Sequence, residues 1–448
     1  MHKSLSNLTF AWLLLTALVL PQAASAKEAA SDTEIIYVFK QNDTVSALAK
    51  RYFQASKSYN DIIDHNGIRN DRAIPVGFKL KIPHDYLKYT RSSGTVRAFR
   101  GDVAIAAKNK PTRNVSVGMS ITEGDILATN KASSLSLAFA DGSIVTMPSN
   151  SVIRVTRLRK ILLTESIDYE FALDRGGIRS KVTPFRNRQD RYRTRTPISV
   201  SAVRGTDFRN RYDPETGSSF AELVEGALDV TGSDTTGALT LEPGFGAAIG
   251  AQSLAKLQML PAPELASGTG LQKREFVTFK LRDNDTAQAY RVQLSRDAGF
   301  IEIVDDMQVS DNKIAIANVD NGNYFAKFTA YGQNGLEGLP TTIAFKRRLN
   351  TVKASADISE AGYSFRWQGT GKGRRVYQFQ LYRVGNEQAL GNFTPTGAAM
   401  IEQSGFETDG LTLSDLPEGR YFWRVGTQLF IDSEMDESWT DFKEFTVG

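Results

Sequence analysis

Few residues in this chain are of types that carry covalent chemistry. Cysteine is absent, which removes thiolate nucleophiles, disulfides and cysteine-held metals. Beyond the first 26 residues only His65 and His84 remain, too few for a histidine-rich metal site. His65 is expected as a surface or helix-end residue. Carboxylate pairs such as Asp305-Asp306 occur, but nothing in the pattern implies a cleft around them, so acid–base glycoside hydrolysis finds no support. Gly369-Thr370-Gly371-Lys372-Gly373 has the look of a phosphate loop. A phosphate loop opens a helix, however, and this stretch lies between two strand-like runs, so a hairpin turn is expected. A Ser/Lys hydrolase stays open, although no Ser-x-x-Lys string sits at a convincing strand-to-helix turn. No catalytic residue, metal or cofactor is assigned.

What remains is recognition by hydrogen bonds and apolar contacts. In YVFKQNDTVSALAKRYF (37–53) the period changes from strand-like to helical at Val45, Leu48, Ala49 and Tyr52, with the cap-forming pair Asp43-Thr44 at the junction. A second short helix is expected over Tyr59 to His65 and ends at Asn66-Gly67, residues that tolerate the left-handed conformation. FKLKIP then alternates as a half-exposed strand and stops at Pro83. Strand, helix, helix and strand within about fifty residues make a thin core, which suits a binding module better than an enzyme. A polar linker is expected from His84 to Gly94.

Tyr37, Val38, Asp43-Thr44-Val45, Ala49, Asn66, Ile68, Ile74-Pro75-Val76-Gly77 and Leu80-Lys81-Ile82-Pro83 resemble the LysM peptidoglycan- and chitin-binding module over residues 36–84. The glycine usual before the Asp-Thr pair is Asn42, a residue that tolerates positive φ. The resemblance implies a groove for N-acetylglucosamine chains. Asn42, Asp43, Thr44 and Val45 would form one edge, and Asn66, Gly67, Ile68, Asn70 and Ile74 the other. A helix cap alone accounts for Asp43-Thr44; the second motif at the right distance is what points to a groove.

The N-terminus has Lys3, an apolar run from Phe10 to Leu20, and Ala24 and Ala26, the pattern of a signal peptide over 1–26 cleaved after Ala26. The run is shorter than a spanning helix needs. The expectation is an exported protein of the periplasm or cell envelope, with no transmembrane anchor after cleavage. Export disfavours nucleic acid as a partner.

With 448 residues the chain has room for about three domains. Residues 92–255 read as all-β, with hairpins expected at Asp141-Gly142, at Gly176-Gly177 and at Glu225-Gly226. VGMSITEGDILATNKASSLSLAFADGSIV and RTPISVSAVRGTDF are similar to the two halves of the periplasmic FecR-type domain. That family reads a transporter and restrains a sigma factor from a membrane-spanning regulator. No internal transmembrane helix or cytoplasmic helical domain accompanies the resemblance here, so it implies an exported β module that contacts envelope proteins.

Arg154 to Arg211 holds 15 Lys+Arg against 6 Asp+Glu, a net of +9, in a chain whose net charge is +4. Arg186 and Arg188 lead into Arg191, Arg193 and Arg195 at period two. This basic patch is either a dock for an acidic partner or anionic polymer or a solvated strand face. Arg204 is expected to pair with Asp207 or a nearby carboxylate as a structural clamp.

LPAPELASGTG (260–270) reads as a linker. Beyond it AYRVQLSRD (289–297) matches VYQFQLYRV (376–384), and NVDNGNYFAKF (318–328) matches SDLPEGRYFWRV (414–425). Two tandem β-sandwiches fit, over 272–348 and 349–448, and they resemble fibronectin type III-like domains.

The fold expected is therefore multidomain and mainly β: a βααβ LysM module over 34–84, an all-β FecR-like domain over 92–255, and two sandwiches. The function expected is non-enzymatic binding of peptidoglycan glycan strands, with β-domains presented to an envelope protein partner. Two alternatives stay open: a peptidoglycan hydrolase or hydrolase accessory, and a FecR-like signalling regulator.

Overall fold

The computed structural model describes residues 34–107, 112–203, 205–233, 237–359, 362–385 and 387–448. The expected signal peptide and Arg204, expected to pair with Asp207, lie outside these residues. The chain divides into two compact units. One holds the chain up to Thr90 together with Ile161–Glu165, the other Arg91–Lys160 and Ser166–Gly448. The protein is multidomain and mainly β.

The first unit runs β1 (Glu34–Val38), α1 (Val45–Tyr52), α2 (Tyr59–His65) and β2 (Lys79–Pro83). The two strands pair antiparallel, with Ile35 opposite Ile82 and Tyr37 opposite Leu80. Helices of eight and seven residues do not hold in isolation. Val45, Leu48 and Ile62 pin them onto Ile35, Leu80 and Ile82 in one core. The chain after Pro83 departs from the polar linker expected there. Leu87 is buried in the same core, the Gln54 N–H donates to the Tyr86 carbonyl, and the Lys88 N–H donates to the Tyr52 carbonyl. Ile161 joins that core and Leu163 packs against it. So small a core gains by recruiting apolar residues beyond its own motif, and the unit therefore extends past the expected end at 84.

In the second unit the strands from Ser93 to Gln258 form a closed, barrel-like network around a core that includes Leu137, Phe171, Tyr192, Phe208 and Val230. Of the three expected hairpins, the one at Asp141-Gly142 is present. Ser134–Phe139 and Ile144–Met147 pair antiparallel, and Gly142 takes φ +91°. At Gly176-Gly177 there is no reversal, because Ile167–Lys181 is one strand. Gly176 at φ +79° bends it close against the chain at Asn150 and Ser151, where a Cβ would come within 2.5 Å. The strand thereby changes sheets. Its first half pairs with Ser151–Ile161 and its second with Asp207–Asp213. Glu225-Gly226 is likewise a corner between sheets. Ser218–Glu225 pairs with Asp207–Asp213 and Phe245–Gly250, whereas Leu228–Gly232 pairs with Ser199–Val203 and Ala238–Leu241. Sheets that pack face to face are joined by such bends, and a turn signal alone does not distinguish them from hairpins.

Two sandwiches complete the unit, each with a three-stranded sheet packed on a larger one. Leu265–Ser267 and Gly270–Gln272, in the stretch read as a linker, are strands of the first sandwich. The Gly369 to Gly373 stretch joins Gly362–Thr370 to Arg374–Val384. These strands lie in opposite sheets, so the stretch is an arch between sheets rather than the expected hairpin. The repeated Gly-x-Tyr-Phe strings have a shared role. Tyr324 donates its hydroxyl to the Asp320 carbonyl and Tyr421 to the Pro417 carbonyl, each four residues back, as in a tyrosine corner. Each ring stacks on a phenylalanine, Tyr324 on Phe345 and Tyr421 on Phe445. Tyr421→Phe keeps the stacking and loses the bond. It should lower stability by about 0.5–1.5 kcal/mol in a denaturant titration.

Candidate functional site

The corner between β1 and α1 is built by local hydrogen bonds. The Asp43 N–H donates to the Lys40 carbonyl, and Asn42 takes φ +69°, the conformation its side chain tolerates. Asp43 Oδ2 accepts from the Tyr37 hydroxyl at 2.8 Å and from the Lys40 N–H at 2.7 Å. Burial, and then the Asp43 carboxylate, push the Tyr37 phenol up to about 12. The helix cap falls to Thr44. Its Oγ1 accepts from the Ala47 N–H at 3.1 Å, and its carbonyl accepts from the Leu48 N–H. Asn42 and Thr44 are exposed, Asp43 is half-buried, and Val45 is buried in the core beneath the corner. Val45 therefore supports this edge from below and offers no contact surface.

The far edge begins at the end of α2. Gly67 at φ +61° turns the chain, and the Ile68 N–H returns to the Ile63 carbonyl. Asn66 is a clamp. Its Nδ2 donates to the carbonyls of Ile62 and Lys81, and its Oδ1 accepts from the Lys81 N–H, all at 2.8 Å. Its amide thus ties α2 to β2, which is not the ligand-facing role expected of it. Asn70 is exposed, its Oδ1 accepting from the Arg72 N–H at 3.1 Å. Ile68 and Ile74 are half-buried and pack on the core. The loop then comes back to the corner, where Phe39 exchanges bonds with Phe78 and Gly77.

The two edges are thus joined backbone to backbone at Phe39. Between them stand exposed Asn42, Thr44 and Asn70 and half-buried Ile68 and Ile74. Val76, 69% exposed, sits in the loop that bonds to Phe39. It is an apolar residue between Pro75 and Gly77, outside the set of residues expected at the groove. Polar groups over a partly apolar floor suit a sugar carrying hydroxyl and acetamido groups. His65 is held away at the start of β1 by Glu34, Nε2 to Oε1 2.5 Å.

The basic stretch is not the uniform exposed face suggested by its period. Arg191–Thr196 runs parallel to Ile167–Lys181, with Arg193 opposite Glu170 and Arg191 opposite Asp168. Arg193 is buried and lies 3.0 Å from Glu170, and the Arg195 Nε is also 3.0 Å from it. Burial raises the Glu170 carboxyl, but Arg193 and Arg195 outweigh it and hold the group below its usual range. The neighbouring strand supplies the carboxylates that neutralise this row. Arg186 and Arg188 lie in the loop before it and are exposed.

Comparison with known proteins agrees with the residues read from the sequence. Residues 37–83 match the LysM domain and residues 125–229 the FecR protein family. The LysM and FecR resemblances therefore hold in that order. LysM points to glycans containing N-acetylglucosamine, and both families are typical of cell-envelope proteins. Phospholipase B-like protein G of Dictyostelium discoideum is 23% identical over 155 residues, 34% of this chain and 25% of that protein. The chain thus spans about a quarter of that relative. A candidate anti-sigma factor from Parabacteroides distasonis is 15% identical with a TM-score of 0.25, over 30% of this chain and 59% of its own. The chicken CNTN1 FN1–FN3 domains are 13% identical with a TM-score of 0.19, over 56% of this chain and 94% of theirs. No helix among the described residues is long and apolar enough to cross a membrane.

Proposed function

We propose that this is an exported, non-enzymatic envelope protein that holds peptidoglycan glycan strands in the groove between the Asn42 corner and the Gly67–Val76 loop. The observation that carries the reading is the LysM match over 37–83, together with a corner whose polar groups and apolar floor suit an acetamido sugar. Asn42, Thr44 and Asn70 bond to hydroxyl and acetamido groups, and Ile68, Ile74 and Val76 pack against the acetyl methyl. Asp43 and Asn66 hold the two edges in shape. The β-domains then present surfaces, including Arg186 and Arg188, to a second envelope component.

The full chain should sediment with purified peptidoglycan sacculi and be released by a chito-oligosaccharide competitor. No muropeptides should appear in the supernatant. Protein that stays in solution removes the glycan reading, and muropeptide release replaces it with the hydrolase. The FecR match over 125–229 supports a second reading, in which glycan occupancy is relayed to a signalling partner. Co-purification of a transporter or sensor from envelope extracts tests it.

A further inference from the structure

Where the FecR-like strands meet the first sandwich, buried and half-buried charges cluster. Four arginines are matched by four carboxylates. Arg179 pairs with Asp207 at 2.7 Å, Arg209 with Glu337 at 2.8 Å, Arg211 with Glu222 at 2.7 Å, and Arg291 with Asp306 at 2.6 Å. Of these pairs Arg209–Glu337 crosses the domain boundary. Arg209 also donates to the Glu337 and Gly338 carbonyls, and Glu222 accepts from the Glu337 N–H.

A fifth cation has no carboxylate of its own. Lys327 is 7% exposed, and its Nζ has no hydrogen-bond partner among the described residues. It stands 3.6 Å from the centre of the Phe300 ring, and Phe300 is held at φ +57°. Lys327, Phe300, Arg179, Arg209 and Arg291 line a cavity of about 40 Å³ together with Glu337, whose carboxylate is taken up by Arg209 and Arg291. A cavity of about 10–15 Å³ already holds one water, so the space admits an occupant of water or halide size. A buried cation without a partner is costly. A bound monovalent anion would supply the fifth negative charge and leave the cluster neutral.

We propose that this cavity is a binding site for a small monovalent anion of the halide class, held by the Lys327 ammonium and bordered by Arg179, Arg209 and Arg291, and that its occupancy strengthens the joint between the FecR-like domain and the first sandwich. Binding is coupled to a proton. Burial first, and then Arg179 and Arg291, push the empty-site lysine down to about 6 despite Asp207 and Glu337. The anion therefore binds more tightly as pH falls toward that value.

The test compares thermal unfolding of the full chain in sodium chloride or bromide with unfolding in sodium gluconate at equal ionic strength, at pH 6 and pH 8.5. Halide should raise the wild-type melting temperature by about 2–4 °C over gluconate at pH 6, and by less at pH 8.5. Lys327→Met, which removes the buried cation and is expected to fold, should abolish the difference. Crystals soaked in bromide should show anomalous density beside Nζ. Equal melting in all salts, a halide effect that survives in Lys327→Met, or water alone in the cavity would overturn the site.

Discussion

Replacing Glu337 by Ala should destabilise the second unit by about 3–5 kcal/mol, the cost of breaking a buried ion pair from one side. Its carboxylate accepts from the Thr329 hydroxyl at 2.8 Å and faces both Arg209 and Arg291. Removing it leaves two largely buried guanidinium groups without full compensation. Glu337→Gln keeps the volume and should cost less, though still more than a surface change. Burial acts to raise the Glu337 carboxyl, but Arg209, Arg291 and Arg211 overcome it and hold the group far below the ordinary carboxylate value. A pKa lower in the folded than in the unfolded state gives stability that is present above the unfolded value. It is lost only as pH falls toward the folded one, so this joint should withstand mild acid. Lys327 has the opposite slope. With a folded pKa of about 6 against 10.5 for the free side chain, its burial costs most below pH 6, and stability rises between the two values. Denaturant titrations of both variants across pH 5 to 10 check these signs. A Glu337→Ala protein within 1 kcal/mol of wild type would mean that the network carries little of the joint.

What was legible in the sequence was what is encoded locally. The Asn42-Asp43-Thr44 corner, the end of α2 at Asn66-Gly67 and the Asp141-Gly142 hairpin each depend on residues within about four positions of one another. They appear where the pattern placed them. The failures are non-local. Asn66 looked like a ligand contact because its partner, Lys81, lies fifteen residues away, and only the folded module brings them together. Arg193 looked like part of a basic face because Glu170 reaches it through a parallel pairing, which no short-range rule predicts. Gly176 and Gly226 were rightly marked as special backbone positions, at φ +79° and +96°. A glycine that lets a strand change sheets carries the same signal as one that reverses the chain. Lys327, in the alternating run of Gly322–Gly332, gave no sign of its burial among charges, since its environment is assembled from three other strands, holding Arg179, Arg209 and Arg291, and from the turns at Phe300 and Glu337.

The groove itself is best tested by separating shape from contact. Asn66→Ala removes one hydrogen bond to α2 at Ile62 and two to β2 at Lys81 and leaves the backbone groups of Lys81 without their partner. At about 1–3 kcal/mol for unsatisfied groups of this kind, a module with so thin a core should melt far earlier. Its glycan binding should fall only as the folded fraction falls. Thr44→Ala removes the cap to the Ala47 N–H and should cost about 1 kcal/mol, while also removing a hydroxyl from the groove. Asn70 and Val76 belong to the other class. Both are exposed, so Asn70→Ala and Val76→Ser should leave the melting temperature nearly unchanged. Asn70→Ala should weaken glycan binding two- to tenfold, the equivalent of one hydrogen bond at about 0.5–1.5 kcal/mol. Val76→Ser should act in the same direction by withdrawing apolar surface from the acetyl methyl. Titration calorimetry of the full chain with a chito-oligosaccharide, run beside thermal melts, reads both classes. If Asn70→Ala and Val76→Ser bind like wild type, while Asn66→Ala and Thr44→Ala lose affinity only in step with stability, the corner is a folding device and the sugar lies elsewhere.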